Sequence, residues 1–308
     1  MEPCVNIHTH RPAGYGIELR TAGVHPWEPD LHAAERLAEV LGAQLANQSG
    51  PSDGSSASRS AAEVPTVGMR VPEKPNGRER ITEEPNGRER ITENPTRTTG
   101  SAESRDSATG PALRIRTAGT GGSQIPATAP ALRIRTAGLA AEWVEVTEVA
   151  AAGIQAIGEI GLDFACRSDR TLQTEVLRIQ LRLAHRTGLP VVLHCVRAFE
   201  PLMRELAACQ PREVIFHGFI GSPEQARTAL SHGCYLSFGE RTFASPKSLR
   251  ALHEVPLDRL FLETDDAPVS IERIYDRAAR ELGLEVGVLR RATYENYKRI
   301  FEPKHENG

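Results

Sequence analysis

The sequence contains no apolar run that approaches the length needed to cross a membrane, which takes about 20 helical residues. Its first residues, Met-Glu-Pro-Cys, provide neither the basic region nor the apolar region of a secretory signal. We therefore expect a soluble, cytoplasmic protein with no membrane partner. Nothing in the sequence indicates a protein partner.

Cysteine is scarce, and its spacing matches neither a metal knuckle nor a disulfide framework. The number of cysteines is odd, they are widely scattered, and no CxxC pair is present. This pattern indicates reduced thiols and argues against thiolate metal sites. The five residues concerned are Cys4, Cys166, Cys195, Cys209 and Cys234.

Two further absences concern nucleotide and nucleic-acid binding. No glycine-rich phosphate fingerprint follows a predicted strand, which weakens a Rossmann interpretation. The formal net charge is −3, so no overall positive field attracts a nucleic acid, and such a substrate would have to be bound locally. Aromatic residues make up only 5% of the 308 residues, and few lie near the motifs described below, so we expect little sequence specificity.

The stretch Cys4-Val5-Asn6-Ile7-His8-Thr9-His10 is the first that indicates chemistry. Its apolar residues predict a short buried strand that leads directly into two histidines. Side chains alternate faces along an extended chain, so His8 and His10 point the same way. A parallel pair of imidazoles at the end of a strand suits one divalent metal ion.

A long central segment, residues 44–140, differs in composition from both of its flanks. It is rich in Ser, Thr, Pro, Gly, Glu and Arg and contains two duplicated units. Residues 75–82 recur at 85–92, and residues 111–119 recur at 130–138. Two copies are too few for a solenoid, and the interspersed glutamates favour a solvated, disordered insert over a nucleic-acid-binding one. The remaining residues, 1–43 and 141–304, are predicted to form one domain.

Regular alternation of strands and helices characterises the second half of the chain. Helices are also predicted for residues 31–41, with Asp30 as N-cap, and for residues 142–152. The predicted strands are residues 154–158, 190–194, 213–217, 234–238 and 259–263. The predicted helices between and after them are residues 171–187, 198–209, 222–232, 246–253 and 270–283. Such repetition predicts parallel βαβ units and favours an α/β fold closed as a TIM-like (β/α) barrel.

Residue types that bind metals stand at five strand ends. The carboxyl ends of barrel strands converge on one face, where active sites lie. A single histidine there is more often a packed one, but five coincident strand ends favour a shared site. The candidate ligands are His8, His10, Glu159, His194, His217 and Asp265.

These six nitrogen and oxygen ligands suit zinc, manganese or magnesium. They exceed the number that one catalytic ion with an open position takes. Two ions about 3.5–4 Å apart, bridged by a carboxylate such as Glu159, would use them all. Such a pair activates water and clamps the attacking and leaving oxygens, so phosphodiester hydrolysis is the predicted reaction.

Taken in order, the motifs resemble the signature blocks of TatD-type metal-dependent deoxyribonucleases. The similarity covers residues 1–43 and 141–303 and includes a closing helix that contains Asn296, which is expected to cap or pack. The motifs are Asn6-Ile-His8-Thr-His10, Ala22-Gly-Val-His25-Pro26, Ile157-Gly-Glu159-Ile-Gly-Leu-Asp163, Leu193-His194-Cys195, Phe216-His217-Gly-Phe-Ile-Gly221 and Leu262-Glu263-Thr264-Asp265.

The resemblance implies a barrel of the metal-dependent hydrolase superfamily that uses two divalent ions and acts on DNA. It assigns His8, His10 and Asp265 to the first ion. It assigns His194 and His217 to the second ion, with Glu159 as the bridge. Asp265 and Glu159 would be the catalytic carboxylates, and Asp265 would also take a proton from the attacking water.

Two residues near the ligands are candidates for substrate binding. His25 matches a family histidine near the site, and a role in substrate binding, in supporting a ligand or in packing is open. Arg197 follows Val196 where the family has Arg-Asp, and it would contact either phosphate or a nearby carboxylate. The family's longer loop after Asp265 is missing, and the chain between His10 and His25 is too short for a full βα unit, so one strand is expected to be shortened or absent.

Two alternatives to a deoxyribonuclease remain. An amidohydrolase-type enzyme would use the same site on a small ester, amide or lactone, although no lysine follows a strand as a candidate carbamylated bridge. A non-enzymatic protein would hold metal in the barrel and recruit a partner through the insert.

Overall fold

The structure is a computed structural model that describes residues 2–48, 132–150 and 152–302. These residues belong to one compact unit, which comprises residues 1–53 and 127–308. Both copies of the first repeat, and residues 111–119 of the second, lie outside the described residues. The prediction that they are disordered therefore stays a prediction.

The described residues form ten strands and seven α-helices. The strands are β1 (Val5–Asn6), β2 (Ile17–Glu18), β3 (Thr21–Gly23), β4 (Arg133–Ala137), β5 (Trp143–Glu145), β6 (Ala156–Asp163), β7 (Val191–Val196), β8 (Val214–Phe216), β9 (Tyr235–Phe238) and β10 (Leu260–Leu262). The helices are α1 (Leu31–Gln48), α2 (Arg170–Thr187), α3 (Phe199–Cys209), α4 (Pro223–Ser231), α5 (Pro246–Glu254), α6 (Ile271–Leu282) and α7 (Val286–Phe301). The α/β class predicted from the sequence is confirmed.

Side chains that cap helices fix where several of the helices begin. Asp30 accepts a hydrogen bond from the backbone N–H of Ala33 at 3.0 Å, as the sequence predicts. Ser222 and Gln225 form a reciprocal capping box at the start of α4. Each cap satisfies an N–H group that has no partner inside the helix. The caps therefore fix the residue at which each preceding loop ends and the helix begins.

The main sheet is mixed, with the order β10-β9-β8-β7-β6-β3-β4-β5. The pairings from β10 through β3 are parallel, which confirms the predicted βαβ units. β4 pairs with β3 and β5 in the antiparallel sense. The metal-ligand motifs are thus carried by the parallel part of the structure.

β1 lies between β10 and β2. The N–H of Ile7 donates to the carbonyl of Leu262 at 3.2 Å on one side. On the other side the N–H of Leu19 donates to the carbonyl of Asn6 at 3.2 Å, in line with the parallel pairing of β1 and β2. Only two residues separate β2 from β3. β1 is therefore hydrogen-bonded to β10 at one edge of the parallel strands and, through β2, is next to β3 at the other edge.

Apolar side chains cover both faces of the parallel strands. The larger core cluster packs the strands against the helices. A second, smaller cluster lies on the opposite face and takes residues from each parallel strand except β3, closed by Ile300 of α7. Its strand members are Val5, Ile7, Leu19, Ala156, Val192, Ile215, Tyr235 and Phe261. Burial on both faces is the usual state of a parallel sheet.

Two sequence predictions are wrong in the region before β6. Residues 142–152, expected to be a helix, form β5 and a 3₁₀ turn at Val146–Glu148. The aromatic Trp143 and the β-branched Val144 favour extended backbone, and pairing with β4 stabilises it. The boundaries of the insert also shift, because α1 extends to Gln48 and β4 occupies residues 133–137.

β6 is longer than predicted and runs through the Glu159 motif to Asp163. All eight of its residues are buried, and its pairing with β7 resumes after an irregularity between Ile157 and Ile160. The strand predicted from the sequence ends at residue 158, before most of the motif, and that prediction does not account for the glycines. They are required by close packing, since a Cβ at Gly161 would lie 2.0 Å from the carbonyl oxygen of His194.

Among the described helices, none combines the length and apolar character that crossing a membrane requires. All five cysteines are free.

Candidate metal centre

Six side chains converge at the carboxyl edge of the parallel strands. They come from the chain after β1, from β6 and β7, and from the residues that directly follow β8 and β10. They are His8, His10, Glu159, His194, His217 and Asp265. The structure thus brings together all six residues that the sequence analysis named as candidate ligands.

The first set of ligands surrounds Oε2 of Glu159. Nε2 of His8 lies 3.2 Å and Nε2 of His10 lies 3.4 Å from this oxygen, and the two nitrogens are 3.2 Å apart. Oδ1 of Asp265 is 3.9 Å from Nε2 of His8 and 4.0 Å from Nε2 of His10. Two imidazole nitrogens and two carboxylate oxygens therefore face one small volume.

The second set surrounds the other oxygen of the same carboxylate. Nδ1 of His194 lies 2.6 Å and Nε2 of His217 lies 2.7 Å from Oε1 of Glu159. The two imidazole nitrogens are 3.3 Å apart. Glu159 therefore directs one oxygen to each set, which is the arrangement of a bridging ligand.

Backbone hydrogen bonds hold Asp265 beside the first histidine pair. Its N–H donates to the carbonyl of His8 at 3.1 Å, and its carbonyl accepts from the N–H of His10 at 3.2 Å. The backbone of Asp265 is in the left-handed region, with φ of 52°. Strained residues of this kind concentrate at functional sites, because the surrounding structure must hold them in place.

Glu159 is charged although it is buried. Burial alone would raise the pKa of its carboxyl group, but the charge of His217 and hydrogen bonds from His10, His194 and His217 hold that pKa well below its usual value. Burial alone would lower the pKa of His217, but the Glu159 carboxylate raises it well above the ordinary value. A divalent cation would supply the positive charge that protons otherwise bring to this cluster.

The spacing of the donor atoms fits metal ions. Ligand atoms about 2.0–2.2 Å from an ion in a tetrahedral site lie roughly 3.3–3.6 Å from one another. The nitrogen–nitrogen and nitrogen–oxygen distances around Oε2 of Glu159 are 3.2–3.4 Å. Donor atoms of His8, His10 and Asp265, and those of His8, Glu159 and His217, lie within 4.8 Å of one another.

Two further carboxylates orient the ligands of the second set. Oδ2 of Asp163 lies 3.2 Å from Nε2 of His194, and Oε1 of Glu263 lies 3.3 Å from Nδ1 of His217. In each histidine the nitrogen remote from Glu159 faces a carboxylate, so the nitrogen that faces Glu159 is free to coordinate. Asp163 and Glu263 belong to quoted motifs, but their roles were not predicted because sequence spacing does not show which nitrogen they contact.

His25, for which three roles were open, contacts the bridging carboxylate. Its Nδ1 accepts a hydrogen bond from the N–H of Trp27 at 3.2 Å, so Nε2 carries the proton that reaches Oε1 of Glu159 at 3.0 Å. Burial lowers the pKa of His25 and keeps it neutral. The geometry places His25 in support of Glu159.

Arg197 is not brought to the ligand set. It is exposed, its φ is 51°, and it lines an adjoining cavity of about 660 Å³ that shares His217 with the ligand cavity. Among the described residues it forms no ion pair. The arginines that line the ligand cavity are Arg135 and Arg241, neither of which was predicted. Arg135 could not be recognised because it belongs to the repeat-containing segment.

Comparison with known proteins identifies one family. The sequence profile described as "TatD related DNase" matches residues 130–302, which is more than half of the chain. The metal-dependent hydrolase YabD of Bacillus subtilis (strain 168) is 32% identical over 166 residues, covering 48% of this chain and 65% of that protein. The 3'-5' ssDNA/RNA exonuclease TatD of Edwardsiella piscicida is 30% identical over 174 residues, covering 48% of this chain and 66% of that protein.

A solved structure shows the same partial overlap. The TatD homologue YjjV of Escherichia coli K12 matches with 28% identity and a TM-score of 0.45, covering 49% of this chain and 64% of that one. In all three comparisons the matched part spans less than two thirds of the relative's own length.

Proposed function

The chain belongs to the TatD-related DNase family, and on this premise we propose that it is a divalent-metal-dependent hydrolase that cleaves phosphodiester bonds in DNA. The observation that carries the proposal is the position of Glu159. Its two oxygens face two separate groups of histidines at 2.6–3.4 Å. A carboxylate that bridges two ions is the usual centre of a two-metal phosphodiesterase.

The proposed fold is a TIM-like barrel with seven parallel strand positions. The hydrogen bonds from β1 to β10 and to β2 support closure of the ring. The small apolar cluster supports it as well. It takes at least one residue from, or directly beside, each of the seven strand positions when β2 and β3 are counted as one, and it therefore has the composition of a barrel interior. The eighth strand of a standard barrel has no counterpart among the described parallel strands.

We assign six residues to two ions. His8, His10 and Asp265 would hold the first ion, His194 and His217 the second, and Glu159 both. Zinc, manganese and magnesium suit these donors, with the histidines favouring the first two. When bound, such ions lower the pKa of water to produce a nucleophile and neutralise charge on the phosphate.

The protein's own groups would move the proton and fix the ligands. Asp265 is the carboxylate of the set that is partly exposed, with a side chain 23% accessible, so it can reach water in the cavity. We assign it the general-base role, in which its oxygen accepts the proton from the attacking water. His25 donates to Glu159 and thereby directs the lone pairs of that carboxylate.

The proposed substrate is single-stranded nucleic acid. The relative from Edwardsiella piscicida is named as a 3'-5' ssDNA/RNA exonuclease. Arg135 and Arg241 line the ligand cavity and supply positive charge where the phosphate would lie. Local charge of this kind is needed because the net charge of the chain is −3.

A cleavage assay on an end-labelled single-stranded oligonucleotide tests the proposal. The protein is stripped with a chelator and then given magnesium, manganese or zinc. We expect metal to restore cleavage, and Glu159→Gln to reduce it by more than about 100-fold. The control is Glu295→Gln, which changes an exposed carboxylate on α7.

Failure would identify an alternative. A protein that binds metal, leaves DNA intact and hydrolyses a p-nitrophenyl ester or a lactone would be an amidohydrolase-type enzyme. A protein that binds metal and hydrolyses neither would be a metal-binding interaction protein.

We further propose that residues 54–126 are dispensable for the metal centre. The described ligands and their supporting residues all lie in the other unit. Replacing residues 54–126 by a flexible Gly/Ser linker should leave metal binding and cleavage intact, since the free energy of closing a loop changes only slowly with its length. Loss of solubility or of metal binding in the deleted protein would contradict this organisation.

A further inference from the structure

We propose that the exposed ring of Trp27, together with Arg135, forms a subsite for one nucleobase of the substrate strand and the phosphate next to it. The inference rests on the proposed function, because it names how a nucleic-acid substrate would be gripped beside the metal centre. Few stacking aromatics are expected from the sequence, and Trp27 directly follows the motif that contains His25 and ends at Pro26.

Trp27 is held rigidly although much of it faces solvent. Its Nε1–H donates to Oδ2 of Asp163 at 2.7 Å, and its ring packs edge-on against His25 with centroids 4.7 Å apart. The residue is nevertheless 48% exposed, and it is one of four large hydrophobic side chains that are exposed in the part of the chain that the structure describes. A large exposed ring normally loses conformational freedom when a ligand binds, and this loss opposes binding. The Trp27 ring is already restricted, so the entropic cost of binding a ligand to it is lower.

The ring also lies next to the reaction centre. Its centroid is 5.9 Å from that of His194, a ligand of the second set. Trp27 and Arg135 line the ligand cavity, and both also line a neighbouring cavity of about 200 Å³. A base in the neighbouring cavity would therefore be attached to a phosphate that reaches the metal centre.

Arg135 provides the charge for this subsite. Its guanidinium carbon lies 5.5 Å from the centre of the Trp27 ring, and two of its nitrogens donate to Oε1 of Glu142 at 3.0 and 3.1 Å. Glu142 thus holds the guanidinium in place and leaves other N–H groups to a phosphate. Aromatic stacking with an adjacent cation is the usual way that proteins bind single strands without reading sequence.

The remaining wall of the neighbouring cavity is polar and aromatic. It is completed by His25, Glu28, Glu142 and Trp143. The carboxylates can accept hydrogen bonds from the amino groups of a base. We therefore infer a nucleobase as the occupant, because a base-free sugar phosphate has no aromatic face that could stack on the Trp27 ring.

Fluorescence in the absence of metal tests the subsite independently of catalysis. The chain has two tryptophans, so the variant Trp143→Phe reports Trp27 alone and keeps an aromatic ring at position 143. The chelator-treated variant is titrated with deoxycytidine monophosphate and, separately, with deoxyribose 5-phosphate. We expect saturable quenching by the nucleotide at a concentration at least tenfold lower than any effect of the sugar phosphate. Equal responses, or no quenching by the nucleotide, would overturn the subsite.

Kinetics on the metal-loaded enzyme give a second measurement. Trp27→Leu and Trp27→Phe both lose the hydrogen bond to Asp163, but only the leucine variant loses the aromatic ring. Stacking of a base contributes about 1–3 kcal/mol, so KM for an oligonucleotide should rise by about 5- to 150-fold in Trp27→Leu relative to Trp27→Phe. On an oligonucleotide of abasic residues the two variants should have the same KM.

The two proposals fail in different ways. Cleavage that depends on metal and Glu159, with equal KM values for Trp27→Leu and Trp27→Phe, rejects the subsite and retains the nuclease. Quenching of Trp27 by the nucleotide in a protein that does not cleave DNA supports the subsite and rejects the nuclease.

Discussion

Asn6 and Thr264 exchange two hydrogen bonds between the chain at β1 and the chain that follows β10. Nδ2 of Asn6 donates to Oγ1 of Thr264 at 2.9 Å, and the N–H of Thr264 donates to Oδ1 of Asn6 at 3.0 Å. Both residues are buried, and they are separated by 258 positions in the sequence. This pair fixes Asn6 two residues before His8 and Thr264 one residue before Asp265, so it sets the spacing of the first ligand set.

Asn6→Ala should therefore destabilise the protein by about 1–3 kcal/mol. The substitution leaves a buried backbone N–H without its acceptor, and each such group costs about 1–3 kcal/mol. Urea unfolding followed by circular dichroism measures the change. Thr264→Ser retains the hydroxyl group and serves as the control, with a smaller loss of about 1 kcal/mol for the buried methyl group. A change below 0.5 kcal/mol in Asn6→Ala would show that the pair does not stabilise the fold.

Removal of metal should lower the melting temperature. The ligand sets exist only in the folded chain, so an ion at 100 times its dissociation constant stabilises that state by about 2.7 kcal/mol. Scanning fluorimetry with and without a chelator, followed by addition of zinc, manganese or magnesium, measures the effect. Glu159→Ala should show no such shift, because both sets lose their shared ligand. Identical melting curves for stripped and loaded protein would argue against a metal centre.

Asp163→Asn should weaken metal binding by about 10- to 100-fold. Oδ2 of Asp163 faces both Nε2 of His194 and Nε1–H of Trp27, and an amide nitrogen at that position would meet two donors. His194 would then lose its orientation, and the second ligand set its geometry. Isothermal titration with zinc measures the affinity. Asp169→Asn is the matched control, since Asp169 caps α2 and asparagine caps helices equally well. Equal affinities in the two variants would reject the orienting role.

Gly161→Ala should destabilise the protein by about 3 kcal/mol or more, or prevent folding. A Cβ there would lie 2.0 Å from the carbonyl oxygen of His194, and φ is 145°. Neither β6 nor β7 can move away without displacing a ligand. Gly287→Ala in α7 meets no atom within 4 Å and should instead stabilise by about 0.5–1 kcal/mol. Chemical denaturation of the two variants measures both changes, and similar stabilities would contradict the packing at Gly161.

Much of the fold and the grouping of the site residues could be predicted from the sequence. Apolar runs that end in histidine or a carboxylate mark buried parallel strands, and such strands end at one edge. That rule brought His194, His217 and Asp265 together without any distance information. Asn296 was expected to cap or pack, and its Nδ2 donates to the carbonyls of Leu257 and Leu260.

The remaining features depend on contacts between distant segments. β4 was not predicted, because its sequence lies in the repetitive segment that was assigned to the insert from its composition. Arg-Ile-Arg-Thr-Ala nevertheless has the alternation of a strand. The residues around Trp143 and Val144 have an apparently amphipathic pattern, which led to the prediction of a helix. Pairing with β4 stabilises a strand there instead. The contact of His25 with Glu159 spans 134 positions, and no local pattern determines which atom of a side chain faces which partner.

The antiparallel pairing of β3 with β4 has a consequence for how the protein can diverge. The sequence Arg-Thr-Ala-Gly occurs at residues 20–23 and again at 135–138, and each copy overlaps one of these strands. The register sets Thr21 opposite Ala137 and Ala22 opposite Thr136. The two copies of this short sequence thus pair with each other in the sheet. The repeat carries none of the six candidate ligands, yet it brings Arg135 into the lining of the cavity. Substitutions in this repeat can therefore change the lining of the cavity while all six candidate ligands stay the same.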